Sequence, residues 1–131
     1  MKELKNVSEL EQLCYDGTIT TISLLLVTSG VCPACAHFKS IYERLERKIG
    51  DFCNLCTIQA EAVGGRNILR ESFSKQFNKY YRGFPSLFVV TNGEAHEIPY
   101  QTVMWNKNLG KFDVEGMAAY VKKYLFEEKL L

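Results

Sequence analysis

The chain has 131 residues, of which 47% are apolar and 24% are charged, a composition typical of a globular protein that buries a core. That length fits one compact domain, which we expect to span residues 1–131. The net charge is only +1 and acids are interleaved with bases, so the composition gives no indication of a surface for nucleic acid or for an anionic membrane.

The N-terminal sequence MKELKNVSEL contains acids and lacks the apolar segment of a secretory signal. The most apolar run, residues 18–28, is far shorter than the ~20 residues that a membrane-spanning helix needs. We therefore expect a cytoplasmic protein that does not bind a membrane. In that compartment, five cysteines indicate free thiols, metal ligands or a catalytic pair rather than a framework of structural disulfides.

The chain begins with a predicted helix and a predicted buried strand. Ser8 and Glu11 have the spacing of a capping box, which predicts a helix over residues 9–15 that ends near Gly17. Residues 19–28 are rich in β-branched and aliphatic side chains with little alternation. That pattern is typical of a strand buried on both faces, as in a parallel sheet covered by helices.

A longer helix is predicted over residues 33–49, with Pro33 at its first position, where the missing N–H costs nothing. Residues 52–60 predict a second strand, which completes a βαβ unit, and residues 67–81 predict another helix after a Gly-Gly break. The apolar face of the first of these helices comprises Cys35, Phe38, Tyr42, Leu45 and Ile49.

The C-terminal part predicts a hairpin and a last helix. Residues 86–91 are strong strand formers, and Asn92-Gly93 is a hairpin turn that leads to an antiparallel strand over residues 94–99. Asp113 is placed to cap the final helix. We therefore expect an α/β protein with a central mixed sheet of four to five strands, flanked by helices on both faces.

Cys32 and Cys35 form a C-x-x-C pair at the start of a helix, which suggests a redox centre. The spacing allows the two sulfurs to close a small disulfide ring. Cys32 occupies the N-cap position, where unpaired N–H groups and the helix dipole stabilise a thiolate, the nucleophilic form. Cys35 faces the core and is less accessible. We expect Cys32 to attack and Cys35 to resolve the mixed disulfide.

A four-cysteine zinc site is the rival interpretation of the cysteines. The pair Cys53-x-x-Cys56 follows Cys32-x-x-Cys35 at a separation typical of such sites. A continuous helix between the pairs would place their sulfurs roughly 20 Å or more apart, whereas zinc needs all four within ~2.3 Å of one point. We therefore expect no metal.

Together these motifs resemble the thioredoxin superfamily over nearly the whole chain. The resemblance is carried by SLLLV at residues 23–27, by Cys32-Pro33-Ala34-Cys35, and by RGFPSLFVVTNGE at residues 82–94. It implies a thioredoxin fold in which the Phe84–Pro85 peptide bond is cis and packs against the cysteine pair. It also implies a protein-disulfide oxidoreductase that uses no metal and no organic cofactor.

The resemblance further implies how substrates are bound. The backbone of Phe84 would pair with an extended substrate segment by strand addition, which gives affinity with little sequence preference. The implied partners are disulfide- or dithiol-containing proteins and a reductase or oxidant that recycles the pair, and we expect a monomer. Catalysis is assigned to Cys32 and Cys35, shaping of the site to Pro33, Ala34 and Pro85, and substrate binding to Gly30, Val31 and Phe84.

Several positions depart from the family pattern. Val31 replaces the tryptophan before the first cysteine, and a Pro-Ala pair lies between the cysteines, so the redox direction cannot be transferred from thioredoxin. Leu26 stands where the family has a buried aspartate, and Thr57 where it has a neighbouring lysine. Proton transfer at the second cysteine then needs water or another group, and we expect slower resolution or a different pH profile. Ser40 replaces a helix-kinking proline, and residues 62–81 form a longer region than in a minimal thioredoxin.

Leu26 and Val31 also favour a second hypothesis, a redox-inactive thioredoxin-like module that binds proteins. A dedicated glutathione pocket is not predicted, because Asn92-Gly93-Glu94 stands where glutaredoxins have Gly-Gly.

Other residues with reactive or aromatic side chains are interpreted first as structural. These are Cys14, Cys53 and Cys56 as buried small apolar residues, His37 as an outer-face residue or a neighbour that tunes Cys32, Tyr80 and Phe84 as core or groove rim, and Trp105 as a partner contact or a lid over the core.

Overall fold

The computed structural model describes residues 1–15, 22–51, 53–91 and 93–127, and within them a sheet of five strands carries helices on both faces. The elements in chain order are β1 (Lys2–Leu4), α1 (Val7–Tyr15), β2 (Ser23–Thr28), α2 (Pro33–Ile49), β3 (Asn54–Gln59), a 3-10 helix (Ala60–Val63), α3 (Arg66–Phe77), β4 (Ser86–Thr91), β5 (Glu94–Glu97), α4 (Tyr100–Val103), β6 (Trp105–Asn106), β7 (Lys111–Phe112) and α5 (Val114–Glu127).

The main sheet is mixed and has the order β1-β3-β2-β4-β5. Strands β1 and β2 run parallel to β3, whereas β4 runs antiparallel to both β2 and β5. The predicted mixed α/β sheet is therefore confirmed, with β2 at its centre. Strands β6 and β7 form a separate two-stranded hairpin. Among the described residues, no helix has the length and apolar character needed to cross a membrane.

Two apolar cores lie on opposite faces of the sheet, and β2 contributes to both of them. Leu24 and Leu26 point to the face covered by α2 and α5, while Leu25 and Val27 point to the face covered by α1 and α3. All four side chains are fully buried. This explains why the sequence of β2 shows no alternation, since both of its faces are covered.

Helix α2 packs on the sheet through the apolar stripe predicted for it. Cys35, Phe38, Tyr42, Leu45 and Ile49 are all buried. The hydroxyl of Tyr42 lies 3.0 Å from the carbonyl oxygens of both Leu24 and Cys56, and donates to the backbone of β2 and β3. The helix is therefore fixed on the two central parallel strands both by apolar burial and by a buried hydrogen bond.

Some boundaries differ from the sequence predictions. Helix α1 begins at Val7 and not at Glu9, because Asn6 rather than Ser8 is the cap, and its side-chain oxygen accepts the Glu9 amide at 2.9 Å. Helix α3 ends at Phe77, four residues before the predicted end, where Asn78 adopts the left-handed conformation with a φ of 53°. Strand β1 was not predicted.

The C-terminal predictions hold at most positions. Strand β4 spans Ser86–Thr91 and pairs antiparallel with β5 as expected. Asp113 caps α5, since its carboxylate accepts the amide of Glu115 at 3.0 Å. The predicted helix end at Gly17 and the hairpin residue Asn92 lie outside the described residues.

Replacing Tyr42 by Phe tests how firmly α2 is held. The change leaves two buried carbonyl groups without their shared donor, so we expect the free energy of unfolding to fall by about 1–2 kcal/mol. Urea denaturation measures the loss. Tyr80→Phe is the matched control, because the Tyr80 side chain is exposed and its hydroxyl contributes little. An equal effect of both changes would contradict the prediction.

Candidate active site

Cys32 is the N-cap residue of α2, in the position predicted for it. Its backbone is extended (φ −105°, ψ 107°), and Pro33 follows at the first helical position. The sulfur accepts the backbone N–H of Cys35 at 3.1 Å, and the Cys32 carbonyl oxygen also contacts that N–H at 3.2 Å. The Cys35 amide is thus shared between the sulfur and the carbonyl oxygen of Cys32, which holds the sulfur at the positive end of α2 while the residue remains half-buried.

Cys35 lies one turn further along α2 and faces the core, with a side chain that is 4% exposed. Burial, followed by the hydrogen bond with Cys32, raises the pKa of the Cys35 thiol to about 11. The two adjacent thiols therefore differ in kind. One is accessible and receives a helix amide, and the other is shielded and holds its proton at neutral pH.

The loop before β4 approaches the cysteines from the other half of the sheet. The Phe84–Pro85 peptide bond is cis. The thiol of Cys32 lies 3.6 Å from the carbonyl oxygen of Phe84, toward which it donates. Ser86 closes this loop, since its hydroxyl donates to the Gly83 carbonyl at 2.6 Å. Residues that are 52 positions apart in the chain thus meet at one sulfur.

Neither protein-family models nor curated proteins match this sequence. Solved structures do match it. A thioredoxin from Fasciola hepatica is 13% identical with a TM-score of 0.59, over 75% of this chain and 85% of that one. The J-Trx1 fragment of ERdj5 is 12% identical with a TM-score of 0.68, over 95% of this chain and 51% of that one. A candidate oxidoreductase described as having a thioredoxin fold is 18% identical with a TM-score of 0.59, over 90% of each chain.

The chain has the thioredoxin fold. The fold predicted from residues 23–27, 32–35 and 82–94 is therefore confirmed. Identities this low show the fold alone, and a fold hosts many functions, so what this thioredoxin fold does must be argued from its site.

Glu61 is a site residue that the sequence reasoning missed. It lies in the 3-10 helix after β3, and its two carboxylate oxygens accept the hydroxyl of Ser29 at 2.6 Å and the amide of Gly30 at 2.9 Å. These hydrogen bonds, that from Ser29 first, lower the pKa of Glu61. The carboxylate therefore holds the turn that leads into Cys32. One signal was available, because the carboxyl ends of adjacent parallel strands meet at one sheet edge.

Tyr100, at the start of α4, is a second residue near the cysteines that the sequence did not predict. Its ring packs edge-on against Phe38, with 4.6 Å between the ring centroids. Burial, and then the negative charges that Cys35 and Cys32 would carry as thiolates, raise the pKa of Tyr100. Nothing in the local sequence points to it, because the loop after β5 sets its position.

The predicted departure at Leu26 has a clear structural setting. Leu26 is fully buried and pairs directly with Thr57 in the β2–β3 ladder, the register assumed from the sequence. A cavity of about 290 Å³ lies between these residues and the cysteines, and Lys39 also lines it. The two positions at which thioredoxins, which the sequence resembles, have charged groups therefore hold an apolar side chain and a hydroxyl, and the charged side chains of the cavity lining are the exposed Glu3, Lys5 and Lys39.

The second cysteine pair lies away from this site. Helix α2 runs unbroken for 17 residues, so at ~1.5 Å per residue its ends are about 25 Å apart. Cys53 and Cys56 are buried on opposite faces of the sheet, as predicted. A zinc ion shared by the two pairs is incompatible with this separation. The side chain of Cys14 lies outside the described part of the structure.

The remaining predicted neighbours of Cys32 lie on the surface. Gly30, Pro33 and Ala34 are exposed, and Val31 is 83% exposed. Gly30 packs closely, since a β-carbon there would lie 2.7 Å from the side-chain nitrogen of Gln59. His37 is exposed on the outer face of α2, as expected. Trp105 is partly exposed and packs edge-on against Phe112.

Glu61→Ala tests the contribution of the carboxylate. A carboxylate whose pKa is lowered stabilises the folded state above its usual pKa, and that contribution is lost as the pH falls through the lowered value. We expect the variant to be less stable than the wild type at neutral pH, and the difference to shrink as the pH falls below the usual glutamate pKa of about 4.3. Urea denaturation across this pH range measures the difference. Glu71→Ala, an exposed carboxylate on α3, is the control, and a Glu61 difference that stays constant with pH would contradict the prediction.

Proposed function

We propose that this protein is a thiol–disulfide oxidoreductase that exchanges electrons with protein substrates through Cys32 and Cys35. The observation that carries the proposal is the sulfur of the half-buried Cys32 at the N-terminus of α2, 3.1 Å from the amide of Cys35. A helix N-terminus favours the thiolate, which is the form that attacks disulfides. The buried thiol of Cys35 on the same turn supplies the second nucleophile, which completes the two-electron oxidation of the pair.

Each step of the reaction can be written with these two thiols. In the reductive direction, the Cys32 thiolate attacks one sulfur of a substrate disulfide and the other substrate sulfur leaves as a thiolate. The Cys35 thiol then loses its proton and attacks the Cys32 sulfur, and the first substrate sulfur leaves. The products are a Cys32–Cys35 disulfide and two substrate thiols, so two electrons and two protons pass to the substrate. A partner dithiol must then reduce the pair, and the oxidative direction runs in reverse.

The surroundings of Cys32 suit an extended polypeptide. The cis Phe84–Pro85 segment lies beside the sulfur, and Gly30 and Val31 border it with exposed backbone and an exposed apolar side chain. Main-chain hydrogen bonds to this segment would hold a substrate strand with little demand on its sequence. We assign shaping of the site to Pro33, Ala34 and Pro85 on the same grounds.

Equilibration in dithiol/disulfide buffers of graded potential tests the proposal. We expect a reversible two-electron transition confined to Cys32 and Cys35, measured by acid quenching, alkylation under denaturing conditions and peptide mass mapping. A midpoint near about −270 mV would indicate a reductant, and one nearer about −180 to −120 mV an oxidant or isomerase.

Two variants sharpen this test. Cys32→Ser should abolish the transition, and Cys53→Ala should leave it unchanged, because the Cys53 thiol is buried with a pKa raised to about 12. If Cys32 and Cys35 never pair at any potential, the oxidoreductase proposal is wrong. The redox-inactive binding module, favoured by Leu26 and Val31, would then take its place.

The pH dependence of the resolving step follows from the burial of Cys35. Only the thiolate attacks, so the rate at which Cys35 resolves a mixed disulfide on Cys32 should rise about tenfold per pH unit between about pH 6 and pH 9. Stopped-flow release of a coloured aromatic thiol from Cys32 measures this rate. A rate that does not vary with pH would show that another group in the site already removes the proton.

Leu26→Asp extends this prediction. A carboxylate beside the cavity that contacts Cys35 can accept its proton, so we expect the rate at neutral pH to rise by about tenfold or more and the pH profile to flatten. Burying the acid should also lower stability. Leu26→Asn has the same size and polarity without a basic group, and should retain the wild-type pH profile. Equal rates for the two variants would contradict this role for a buried acid.

A further inference from the structure

A groove of about 700 Å³ flanks Cys32 on the side of α3, and its far wall is cationic and aromatic. Three of the five arginines in the chain line it. Arg66 and Arg70 come from α3, and Arg82 comes from the loop before β4. Among the described residues that line this groove, none is an aspartate or a glutamate. This local charge contrasts with a net charge of only +1 for the whole chain.

The arginines are held in place by the rings beneath them. The guanidinium of Arg66 lies 5.1 Å from the ring centroid of Phe84, and that of Arg70 lies 5.2 Å from the ring centroid of Tyr80. Stacking of this kind occupies the face of the guanidinium and leaves its N–H groups in the plane free to donate. Tyr80 is 60% exposed, so its ring forms an open floor rather than part of the core.

No acidic residue lines the groove in the described part of the chain, but two carboxylates act on its arginines from outside. Glu61 accepts the hydrogen bonds from Ser29 and Gly30, and the charge of Arg66 also helps to lower its pKa. Glu97 forms an ion pair with Arg82 at 3.6 Å, where the Arg82 side chain is 87% exposed. The cavity on the other side of Phe84 holds Glu97 together with Arg82 and uncharged polar side chains, so its charge is balanced. The excess of positive charge therefore lies on the α3 side of Cys32, and Arg66 and Arg70 carry most of it.

The groove is continuous with the reactive sulfur. Phe84 carries the ring under Arg66, and its own carbonyl oxygen lies 3.6 Å from the Cys32 thiol. A polypeptide whose cysteine reaches Cys32 would therefore place its neighbouring residues against Arg66 and Arg70. Carboxylates suit such a surface, because a planar guanidinium can bind both oxygens of one carboxylate.

We propose that this groove selects protein substrates with acidic residues next to the cysteine that exchanges with Cys32. The inference rests on the proposed thiol–disulfide activity and adds the chemical class of its substrate. Charge complementarity of this kind acts mainly on the rate of association and is weakened by salt. Main-chain contacts at Phe84 would then supply affinity with little sequence preference, and the charge of the groove would supply selection.

The test uses three disulfide-linked peptides that differ only in the residues beside the cysteine. These residues are Asp and Glu in the acidic peptide, Ser and Asn in the neutral peptide, and Lys in the basic peptide. The protein is the Cys35→Ser variant, so the Cys32 thiolate displaces one peptide thiolate and the mixed disulfide accumulates. We expect the acidic peptide to react about tenfold faster than the neutral one at about 20 mM salt, and the advantage to shrink toward about 300 mM. Stopped-flow mixing and mass spectrometry measure the rates.

Two matched variants assign the selectivity to the groove. Arg66→Gln with Arg70→Gln should reduce the acidic-to-neutral rate ratio about tenfold. Arg44→Gln with Arg47→Gln removes the same charge from the exposed face of α2, outside the groove, and should preserve the ratio. Because each ratio compares the same peptides, differences in peptide thiol pKa cancel. A ratio that is equally low in all proteins, or equally reduced by both variants, would overturn the inference.

The remaining outcomes separate this inference from the proposed function. If all the peptides react at the same rate, the oxidoreductase proposal stands and the acidic preference is wrong. If none reacts, the affinity of the groove can still be measured. A labelled acidic peptide with Ser in place of Cys is used, and its binding is monitored by fluorescence anisotropy. Salt-sensitive binding that is lost in the Arg66/Arg70 variant supports the inference, and absence of binding overturns it. An equal arginine dependence with oxidised glutathione would show recognition of a small carboxylated disulfide and overturn the polypeptide assignment.

Discussion

The hydrogen bond from the Cys35 amide to the Cys32 sulfur is the contact on which the rest of the site depends. A helix that starts within a few residues of a buried central strand must satisfy its first amides, and here a thiol supplies the acceptor. The sulfur is thereby fixed at the helix end, where negative charge is favoured. Since α2 is itself held on β2 and β3 by Tyr42 and its apolar stripe, the position of the sulfur is set by the core.

The two halves of the sheet contribute different parts to that sulfur. The parallel half ends in Ser29 and Glu61, which fix the turn before Cys32 from behind. The antiparallel half brings Phe84 and Pro85 to its front, and the loop after β5 adds Tyr100. A mixed sheet makes this possible, because β2 is parallel to one neighbour and antiparallel to the other. The site lies where those two pairings meet.

Local sequence signals predicted helix α2 and strand β4, which hold the cysteines and follow the cis peptide bond. They missed features that depend on pairing between distant segments. Helix α2 and strand β4 have the predicted bounds, because a proline start, a regular apolar stripe and strand-forming residues all lie within each segment. Strand β1 has three residues and one buried side chain, so only its pairing with β3 identifies it. Ser8 and Asn6 each precede a glutamate by three residues, so both fit the sequence pattern of a helix cap. Only the hydrogen bond from the Glu9 amide to the Asn6 side chain identifies Asn6 as the cap. Glu61 is 29 to 32 positions from the cysteine loop, so only the parallel pairing of β2 with β3, which brings the ends of these strands together, could place it there.

The distribution of charge explains why the departures from the family pattern matter together. With Leu26 and Thr57 paired behind Cys35, the interior offers an alkyl group and a hydroxyl in place of a charged relay. The charges near the cysteines lie instead on exposed side chains. These are Glu3, Lys5 and Lys39 in the lining of the cavity, Glu61 beside the loop, and Arg66, Arg70 and Arg82 along the groove. Exposed charges are screened by solvent and change buried-group titration only weakly, but within about one Debye length they still attract an approaching chain of opposite charge. In the reaction we propose, surface charge therefore acts less on the Cys35 thiol than on the polypeptide that approaches Cys32.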